Sequence, residues 1–582
     1  MIKKLMKSIR EYKAPSIKAP LLVSLEVVME CIIPLLMAQL IDQGINQGQM
    51  PVILKTGLIL LLSSVASLLF GMLAGKYAAY ASAGFASNLR EDMFKRIQDF
   101  SFSNIDKYST GGLVTRLTTD VTYLQNAYQM IIRTAVRSPF MLIFSLVAAI
   151  SIDAKLSLIF VAVIPVLAVG LIVIATKAHP TFERVFKRYD RLNSIVQENL
   201  YGIRVVKAFV REDHEAEKFG GVSKEIYDDF SLAEKILAFN QPLMQGCIYA
   251  CMLLISWFGA KAVVACGGDA ALGLSTGELT SMFTYIMQIL SSLMMLSMIF
   301  VMIVISRASC ERIAELLSEE SDITSPENPL TEIKNGEIVF DHVTFRYNQK
   351  AEKPALNDIS LTIHSGETVG IIGGTGSSKS TLVQLIPRLY DVTEGSVRVG
   401  GEDVRRYDLN ALRDAVAMVL QKNVLFSGTV RENLCWGKAD ATDEEIKRVC
   451  DLAQASGFIE AYPEKYDHWI EQGGNNVSGG QKQRLCIARA LLKSPKVLIL
   501  DDSTSAVDTA TDAKIRQGFK EYIPEITKII IAQRVSSVMD ADQILVMDEG
   551  RLVAAGRHEE LLKNCDIYRE VYELQMKGGD EE

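Results

Sequence analysis

A glycine-rich segment joins a predicted strand to a predicted helix in the second half of the chain. Residues 368–372 have the apolar composition of a buried strand, and an apolar helix is predicted from Leu382. The segment between them consists of Gly373, Gly374, Thr375, Gly376, Ser377, Ser378, Lys379, Ser380 and Thr381. In such a strand–turn–helix unit, the backbone N–H groups of the turn and the N-terminus of the helix face a phosphate. The segment therefore predicts a nucleotide-binding loop.

Two side chains of this loop suit a nucleoside triphosphate and its metal ion. Lys379 would neutralise the β- and γ-phosphate oxygens, and Ser380 would bind Mg²⁺. Ser378 departs from the pattern, because glycine usually precedes the lysine. If the backbone is left-handed there, serine costs roughly 1 kcal/mol. We expect this cost to weaken nucleotide binding without abolishing it.

Two further segments carry groups that belong beside such a loop. Residues 497–501 predict a buried strand that ends in the carboxylate of Asp501, where a water-bridged ligand of Mg²⁺ belongs. Between the loop and this strand, residues 476–484 contain the run Ser478, Gly479, Gly480 and Gln481. This segment closely resembles the signature motif of the ATP-binding-cassette (ABC) ATPases.

The other parts of the resemblance follow in the family's order. Tyr347 matches the aromatic residue that stacks on adenine, and Gln421 matches the glutamine that senses Mg²⁺. Ser505 to Asp508 matches the loop that crosses to the opposite subunit. The resemblance implies an ATPase with ATP and Mg²⁺ as cofactors, in which Ser380, Gln421 and Asp501 lie at the metal. Taken over the whole chain, it is a resemblance to a half-transporter of the ABC exporter type.

Two residues depart from the family at the chemistry itself. Asp502 stands where the family usually has the glutamate that polarises the attacking water, and Gln533 stands where it has a histidine that contacts the γ-phosphate. A displacement of about 1 Å in a catalytic group can cost on the order of 100-fold in rate, and Asp is one methylene shorter than Glu. Glutamine can donate a hydrogen bond but cannot carry a proton as histidine does. With Gln421, these residues are the catalytic candidates, and they predict slow hydrolysis at this chain's own site.

The resemblance also implies how such a chain assembles. Family members place two ATP molecules between two nucleotide domains, and each site takes its loop from one chain and its signature from the other. The signature of this chain is intact, so it could complete a competent site on a partner. A homodimer would have two poor sites, which favours a heterodimer with a second half-transporter that retains the glutamate and the histidine.

The elements that hold these residues divide the chain into two kinds of sequence. After residue 335, strands at 337–345, 359–363 and 368–372 alternate with helices and predict an α/β domain with a phosphate loop. Before it, six apolar stretches predict an all-α transmembrane domain. The expected parts are an amphipathic N-terminal segment (1–16), the six-span domain (17–308), a linker (309–335), the nucleotide-binding domain (336–574) and an acidic tail (575–582).

The composition supports a multi-pass membrane protein. Hydrophobic residues make up 49% of the 582 residues, and the mean hydropathy is +0.18. The spans are predicted at 20–41, 57–75, 131–152, 156–176, 243–264 and 279–305, and Arg133 and Arg137 make the third the weakest. The basic N-terminus and the charged excursions at 86–137 and 177–240 predict a cell-membrane protein whose N-terminus and ATPase domain are cytosolic. Helical tips of the excursions are predicted near 104–121 and 210–219.

Two features of the spans have alternative interpretations. Glu26 and Glu30 lie four residues apart on the first span and share a face. They are either a cation- or proton-sensitive substrate surface or a protonated or hydrogen-bonded structural pair. The methionines of the sixth span either contact substrate or fill gaps in the core; they are Met282, Met287, Met294, Met295, Met298 and Met302.

ATP-driven export of small amphiphiles, such as drugs or lipid-like compounds, from the lipid membrane is the expected function. The absence of a protease domain before the first span argues against a peptide exporter that cleaves leaders. An importer of exporter shape, for example for a metal chelate, and a regulatory subunit that binds ATP with little turnover are the alternatives. The net charge of −8 gives no case for nucleic acid as a partner. The nine cysteines, Cys266 among them, form no ligand-like cluster in the sequence.

Overall fold

The computed structural model describes residues 2–265, 273–348, 351–503 and 506–577. The predictions that concern Cys266, Ser505 and residues 578–582 of the tail lie outside these ranges. The chain divides into two compact units. The first contains Met1–Gln98 and Ser109–Glu319, and the second contains Asp99–Tyr108 and Glu320–Glu582.

Long apolar helices make up the first unit. Within the described residues, six helices are long and apolar enough to cross a membrane. The first eleven helices of the chain are α1 (Ile2–Leu5), α2 (Lys13–Gln39), α3 (Met50–Gln98), α4 (Phe102–Lys107), α5 (Thr110–Thr115), α6 (Val121–Ile152), α7 (Ala154–Tyr201), α8 (Ile203–Ala208), α9 (Glu212–Leu237), α10 (Asn240–Ala265) and α11 (Thr276–Ser318). α3 and α7 have 49 and 48 residues, so each is about 70 Å long and more than twice the thickness of a hydrocarbon core. The predicted extension of the spans beyond the bilayer is therefore confirmed.

The second helical tip does not lie at the predicted residues. It is α8, Ile203–Ala208, whereas most of the predicted segment 210–219 belongs to the long helix α9. The first turn of α9 contains Glu212, Asp213 and Glu215. These carboxylates favour a helix N-terminus at that point because they complement the helix dipole.

A proline in α2 leaves a backbone carbonyl that α11 satisfies. Pro34 has no N–H group, so the carbonyl of Glu30 loses its usual donor four residues on. The side chain of Gln288 donates to this carbonyl at 3.4 Å. Next to it, the Tyr285 hydroxyl donates to the carbonyl of Cys31 at 2.7 Å. Such bonds matter in a membrane because no water is available to replace them.

Glu26 and Glu30 share a partner on α6. The Nη2 atom of Arg137 lies 2.9 and 2.7 Å from the two carboxylate oxygens of Glu30, and its Nη1 atom donates to Glu26. Gly71 of α3 lies against the same carboxylate, since a Cβ there would come within 2.9 Å of Glu26 Oε1. The Glu26–Glu30 pair is thus hydrogen bonded to an arginine. The arginine that weakens the third span in the sequence is neutralised by the first.

The methionines of the sixth span differ in burial, and Met294 and Met302 are half-buried. Met282 is fully buried among the helices. Met287, Met295 and Met298 are each more than 40% exposed, at 45%, 43% and 60%. Met282 therefore fills the core, and the three exposed methionines lie on the surface of this unit.

Arg137→Gln should destabilise the first unit by about 2–3 kcal/mol, because it leaves two carboxylates in an apolar setting without their cation. We expect a lower midpoint of thermal unfolding for the purified full-length protein in lipid. Arg133→Gln is the matched control, since Arg133 forms no ion pair within the part of the chain that the structure describes. Equal losses in the two variants would contradict a stabilising role for the Arg137 contacts.

Two larger sheets, a two-stranded sheet and their helices form the second unit. The strands are β1 (Ile338–Phe345), β2 (Leu356–Ile363), β3 (Thr368–Gly373), β4 (Glu394–Val399), β5 (Glu402–Asp403), β6 (Val416–Val419), β7 (Gly428–Thr429), β8 (Trp469–Ile470), β9 (Val497–Asp501), β10 (Thr527–Ile531), β11 (Gln543–Asp548) and β12 (Arg551–Gly556). The helices after α4 in this unit are α12 (Lys379–Gln384), α13 (Leu409–Ala415), α14 (Val430–Cys435), α15 (Asp443–Leu452), α16 (Ser456–Glu460), α17 (Gly479–Leu492), α18 (Thr509–Tyr522), α19 (His558–Asn564) and α20 (Asp566–Lys577).

The larger sheet has the order β12-β11-β3-β10-β9-β6. All its neighbouring pairs are parallel except β11 with β12. Every residue of β9 and β10 is buried, as expected for central parallel strands that are covered on both faces. A second sheet, β2-β1-β4-β5, is antiparallel. The α/β fold predicted from the sequence is confirmed.

Candidate nucleotide site

Four parts of the predicted site lie at the ends of strands that are neighbours in the larger sheet. The glycine-rich loop follows β3, Gln533 follows β10, Asp501 ends β9, and Gln421 follows β6. The four strands are parallel, so their carboxyl ends meet at one edge of the sheet. Ligands of open α/β sheets bind outside this edge. Residues that are up to 160 positions apart in the sequence are therefore collected in one place.

Lys379 and Ser380 make specific contacts within the loop and with β9. The Lys379 ammonium group lies 2.8 Å from the carbonyl oxygens of both Gly373 and Gly374. The Ser380 hydroxyl donates to Asp501 Oδ1 at 2.9 Å. A hydroxyl and a carboxylate side by side are oxygen ligands of the kind that Mg²⁺ prefers. The residues present thus fit a magnesium ion at this position.

Burial and charge shift the ionisation of the two buried groups. Burial raises the pKa of Asp501, and the neighbouring Asp502 raises it further, against the effects of the Ser380 hydrogen bond and the Lys379 charge. Burial lowers the pKa of Lys379, whereas Asp501 and Asp502 act to raise it. Two adjacent carboxylates beside a single ammonium group form a site that a bound cation would stabilise.

The loop itself is held open by left-handed residues. Ser378 has φ 67° and ψ 26°, and Gly376 has φ +83°. A Cβ on Gly374 would meet no atom within 4 Å, so that the backbone there borders open space. The first bond of α12 runs from the Leu382 N–H to the Ser378 carbonyl, which leaves the N–H groups of residues 379–381 without a partner inside the helix. These are the groups that can bind a phosphate.

Tyr347 stands beside the loop with its ring accessible. Its hydroxyl lies 3.0 Å from the Thr381 hydroxyl, and 54% of the residue is exposed. Its ring makes edge contacts with Phe345 and Tyr390 at centroid distances of 4.8 and 5.2 Å. The ring is thus held by two aromatic neighbours, and its exposed part can stack on a planar base.

The signature segment forms its own local structure. Ser478 is the N-cap of α17, and its side chain and that of Gln481 form a capping box. The bonds are from the Gln481 N–H to Ser478 Oγ at 3.3 Å and from the Ser478 N–H to Gln481 Oε1 at 2.9 Å. Gly480 lies against Ala506, since a Cβ there would come within 2.8 Å of the Ala506 carbonyl oxygen. Ser478 and Gly479 are exposed, and their hydrogen bonds do not join them to the phosphate loop.

Asp502 and Gln533, the two departures from the family, are in direct contact. Gln533 Nε2 donates to Asp502 Oδ2 at 2.7 Å. The backbone of Asp502 is left-handed, with φ 50°, and its N–H donates to the Ile531 carbonyl at 3.1 Å. In the sequence the two substitutions are 31 positions apart and look like separate changes, whereas in the structure their side chains are hydrogen bonded to each other. The neighbouring order of β9 and β10 is what brings them together.

Comparison with known proteins identifies both units. Residues 17–294 match the family model described as ABC transporter transmembrane region, and residues 356–505 match the model described as ABC transporter. The chain is 36% identical over 558 residues to the "Uncharacterized ABC transporter ATP-binding protein YfiB" of Bacillus subtilis (strain 168), with 96% of each chain covered. It is 34% identical over 495 residues to the "Probable multidrug resistance ABC transporter ATP-binding/permease protein YheI" of the same organism, with 85% of this chain and 83% of that protein covered.

A solved structure has the same fold. The structure of a bacterial Atm1-family ABC exporter with ATP bound superimposes with a TM-score of 0.83, over 97% of this chain and 99% of that one, at 24% identity. With the six apolar helices of the described residues, these matches make the chain a multi-pass membrane protein with an ATP-binding, ATP-hydrolysing domain.

Ser378→Gly should stabilise the second unit by about 0.5–1 kcal/mol, because glycine adopts the left-handed conformation without strain but loses more entropy on folding. The midpoint of thermal unfolding should rise. The affinity for ATP should change by less than about twofold, in contrast to the weaker binding expected from the sequence, since the turn is left-handed before a nucleotide binds. Ser494→Gly, at another left-handed serine with φ 50°, is the control. Tighter ATP binding in Ser378→Gly alone would show that the strain arises on binding.

Proposed function

This chain belongs to the ABC transporter family, and we propose that it exports small amphiphilic compounds from the cell membrane as one half of a heterodimeric transporter. Its ATPase domain and N-terminus are cytosolic in this proposal. Its own ATP site hydrolyses slowly, and its signature segment completes the active site of the partner. The proposed transmembrane domain, linker and nucleotide-binding domain are those expected from the sequence, 17–308, 309–335 and 336–574, with α11 continuing to Ser318 and α20 to Lys577.

The contact between Asp502 and Gln533 carries the proposal. The carboxylate that would polarise a water accepts a hydrogen bond of 2.7 Å from the residue that stands in place of the histidine. An oxygen that already accepts such a bond is a weaker base, and it is one methylene further from the substrate than glutamate would place it. Both departures therefore act on the same step, which is the activation of water.

Binding groups for ATP are retained in the same site. Lys379 would neutralise phosphate charge, Ser380 and Asp501 would hold Mg²⁺ together with Gln421, and Tyr347 would stack on adenine. The backbone of residues 373–381 would hold the phosphates. Retained binding with slow hydrolysis means that this chain keeps its nucleotide through several turnovers of the partner's site.

The exposed signature supports the assembly with a second chain. Ser478, Gly479, Gly480 and Gln481 begin α17 at the surface of the second unit. Ser478 would donate to the γ-phosphate of ATP held by the partner's loop, a charge-assisted bond of roughly 1.5–3 kcal/mol. A partner with glutamate and histidine at its own site gives the complex one fast and one slow site.

Amphiphile export is supported by a relative and by the membrane unit. The name of the relative YheI refers to multidrug resistance, and three adaptable methionines of α11 are exposed on the surface of the first unit. A subunit that binds ATP and only completes its partner's site is the second candidate, favoured by the same Asp502–Gln533 contact. ATP turnover and substrate transport by the chain alone and with its partner would separate the two.

Asp502→Asn should change ATP turnover of the assembled transporter by less than about twofold, whereas replacing the catalytic glutamate of the partner by glutamine should remove most of it. The physical reason is that Asp502 acts only on the slow site. Steady-state phosphate release from the reconstituted transporter measures both effects. Equal losses from the two substitutions would contradict the division into a fast and a slow site.

Ser478→Ala should reduce ATP turnover more than Lys379→Ala does, because the serine serves the fast site and the lysine serves the slow one. Ser478 also caps α17, so its loss costs about 1 kcal/mol of helix stability in addition. Thr442→Ala, which removes the same type of cap from α15, controls for that cost. If Lys379→Ala has the larger effect, this chain's own loop carries the chemistry.

A further inference from the structure

The C-terminal helix contacts the segment that carries Gln533. Gln575 of α20 donates from its Nε2 atom to the Gln533 carbonyl oxygen at 2.8 Å. Its Oε1 atom accepts from the Val535 N–H, also at 2.8 Å. One side-chain amide thus bonds two backbone groups of the segment that follows β10.

Gln575 lies near the end of a helix that other side chains anchor to the core. α20 is anchored by Tyr568, which is fully buried and whose hydroxyl lies 2.7 Å from His558 Nδ1. Val571 and Tyr572 pack against the same core. Gln575 lies seven residues after Tyr568 and is itself exposed. α20 also runs through Lys577, three residues into the segment assigned to the tail from the sequence.

The two hydrogen bonds from the Gln575 side chain satisfy polar backbone groups of this segment. Val535 is 1% exposed, and its N–H group, like other buried backbone donors, requires an acceptor. Gln575 supplies it from a different helix. Because the same amide also holds the Gln533 carbonyl, the backbone on either side of Arg534 is fixed to α20.

The fixed backbone determines where the Gln533 side chain points. That side chain donates to Asp502 at 2.7 Å, and the Asp502 N–H donates to Ile531 at 3.1 Å. A continuous set of hydrogen bonds therefore runs from α20 through residues 531–535 to Asp502. The hydrogen bond between Gln533 and Asp502, which slows hydrolysis in the proposed function, therefore depends at both ends on the segment that Gln575 holds.

We propose that Gln575 is a positioning residue for this chain's ATP site, and that the C-terminal helix thereby sets how long the site retains its nucleotide. The inference rests on the proposed roles of Gln533 and Asp502 at that site. Gln575 acts through the backbone of residues 533–535 and does not itself contact the nucleotide. Displacing the end of α20 would release the segment and speed nucleotide exchange, which makes the helix a point of regulation.

The test uses the full-length assembled transporter in lipid nanodiscs. The sites are loaded with 8-azido-ATP and Mg²⁺, chased with excess ATP and photocrosslinked at intervals, and the two subunits are separated by electrophoresis. Gln575→Met keeps the side-chain volume but removes both hydrogen bonds. We expect release from this chain's site to become about threefold to tenfold faster. Gln517→Met is the matched control and should leave release unchanged, because the Gln517 side chain donates to Glu521 of its own helix at 2.8 Å and has no other side-chain hydrogen bond among the described residues.

A second variant and a double-mutant cycle separate positioning from general stability. Gln575→Glu can still accept from Val535 but cannot donate to Gln533, and we expect a smaller acceleration than in Gln575→Met. The effects of Gln575→Met and Gln533→Ala should be strongly non-additive, since the first acts through the second. Additive effects would overturn the inference, because a purely structural role adds independently.

The outcomes also distinguish this inference from the proposed function. An unchanged release rate in Gln575→Met, together with a changed rate in Gln533→Ala, would overturn the role of Gln575 alone. An unchanged rate in Gln533→Ala would overturn the proposed slow site together with the positioning role. Faster release in both single variants with strong coupling supports both.

Discussion

Parallel strands that lie side by side end at the same edge of their sheet, and the ATP site of the second unit depends on that constraint. The loop after β3, Gln533 after β10, Asp501 at the end of β9 and Gln421 after β6 meet because their strands are consecutive neighbours. No local preference of these residues would bring them together. The complete burial of β9 and β10 keeps the order of the strands fixed, since any other pairing would expose apolar side chains to water.

The first unit follows a related constraint, which is that buried polar groups need partners. The Glu30 carbonyl, deprived of a donor by Pro34, accepts from Gln288. The carboxylates of Glu26 and Glu30 accept from Arg137. In each case one helix supplies a hydrogen bond to a polar group of another, because lipid offers no alternative; Glu26 Oε2 alone of these oxygens has no partner among the described residues. The polar residues of the spans thus tie α2, α6 and α11 together.

The two departures from the family are coupled through structure. Asp502 and Gln533 are hydrogen bonded to each other, and Gln575 holds the backbone from which Gln533 extends. A shorter carboxylate leaves space beside it, and a glutamine amide can reach that carboxylate as a donor. In the proposed slow site, the same contact that weakens water activation gives the site a defined resting geometry. Residues that contact neither phosphate nor metal contribute to that geometry.

Much of the site could be predicted because it is encoded locally. The glycine-rich loop and the strand ending in Asp501 each lie within about ten residues, and both follow a strand and helix pattern that can be found in the sequence. The signature is equally local and was identified by its resemblance to the ABC ATPase motif. The six spans could be predicted for the same reason, since length and hydropathy alone determine whether a segment can cross a bilayer. The tip at α8 could not be placed correctly, because the residues at which a helix ends depend on small differences in capping.

Contacts between segments that are distant in the chain could not be predicted from the sequence. Arg137 reads as a defect of the third span, and only the packing of α6 against α2 shows that it neutralises two carboxylates. Gln575 reads as the start of a tail, and only the docking of α20 shows that it binds residues 533 and 535. By itself the sequence determined which chemical groups are present and which element carries each of them. Only the tertiary structure decided which groups meet. A side-chain contact depends on the order and packing of the elements, and the separation of two elements along the chain does not determine their distance in space.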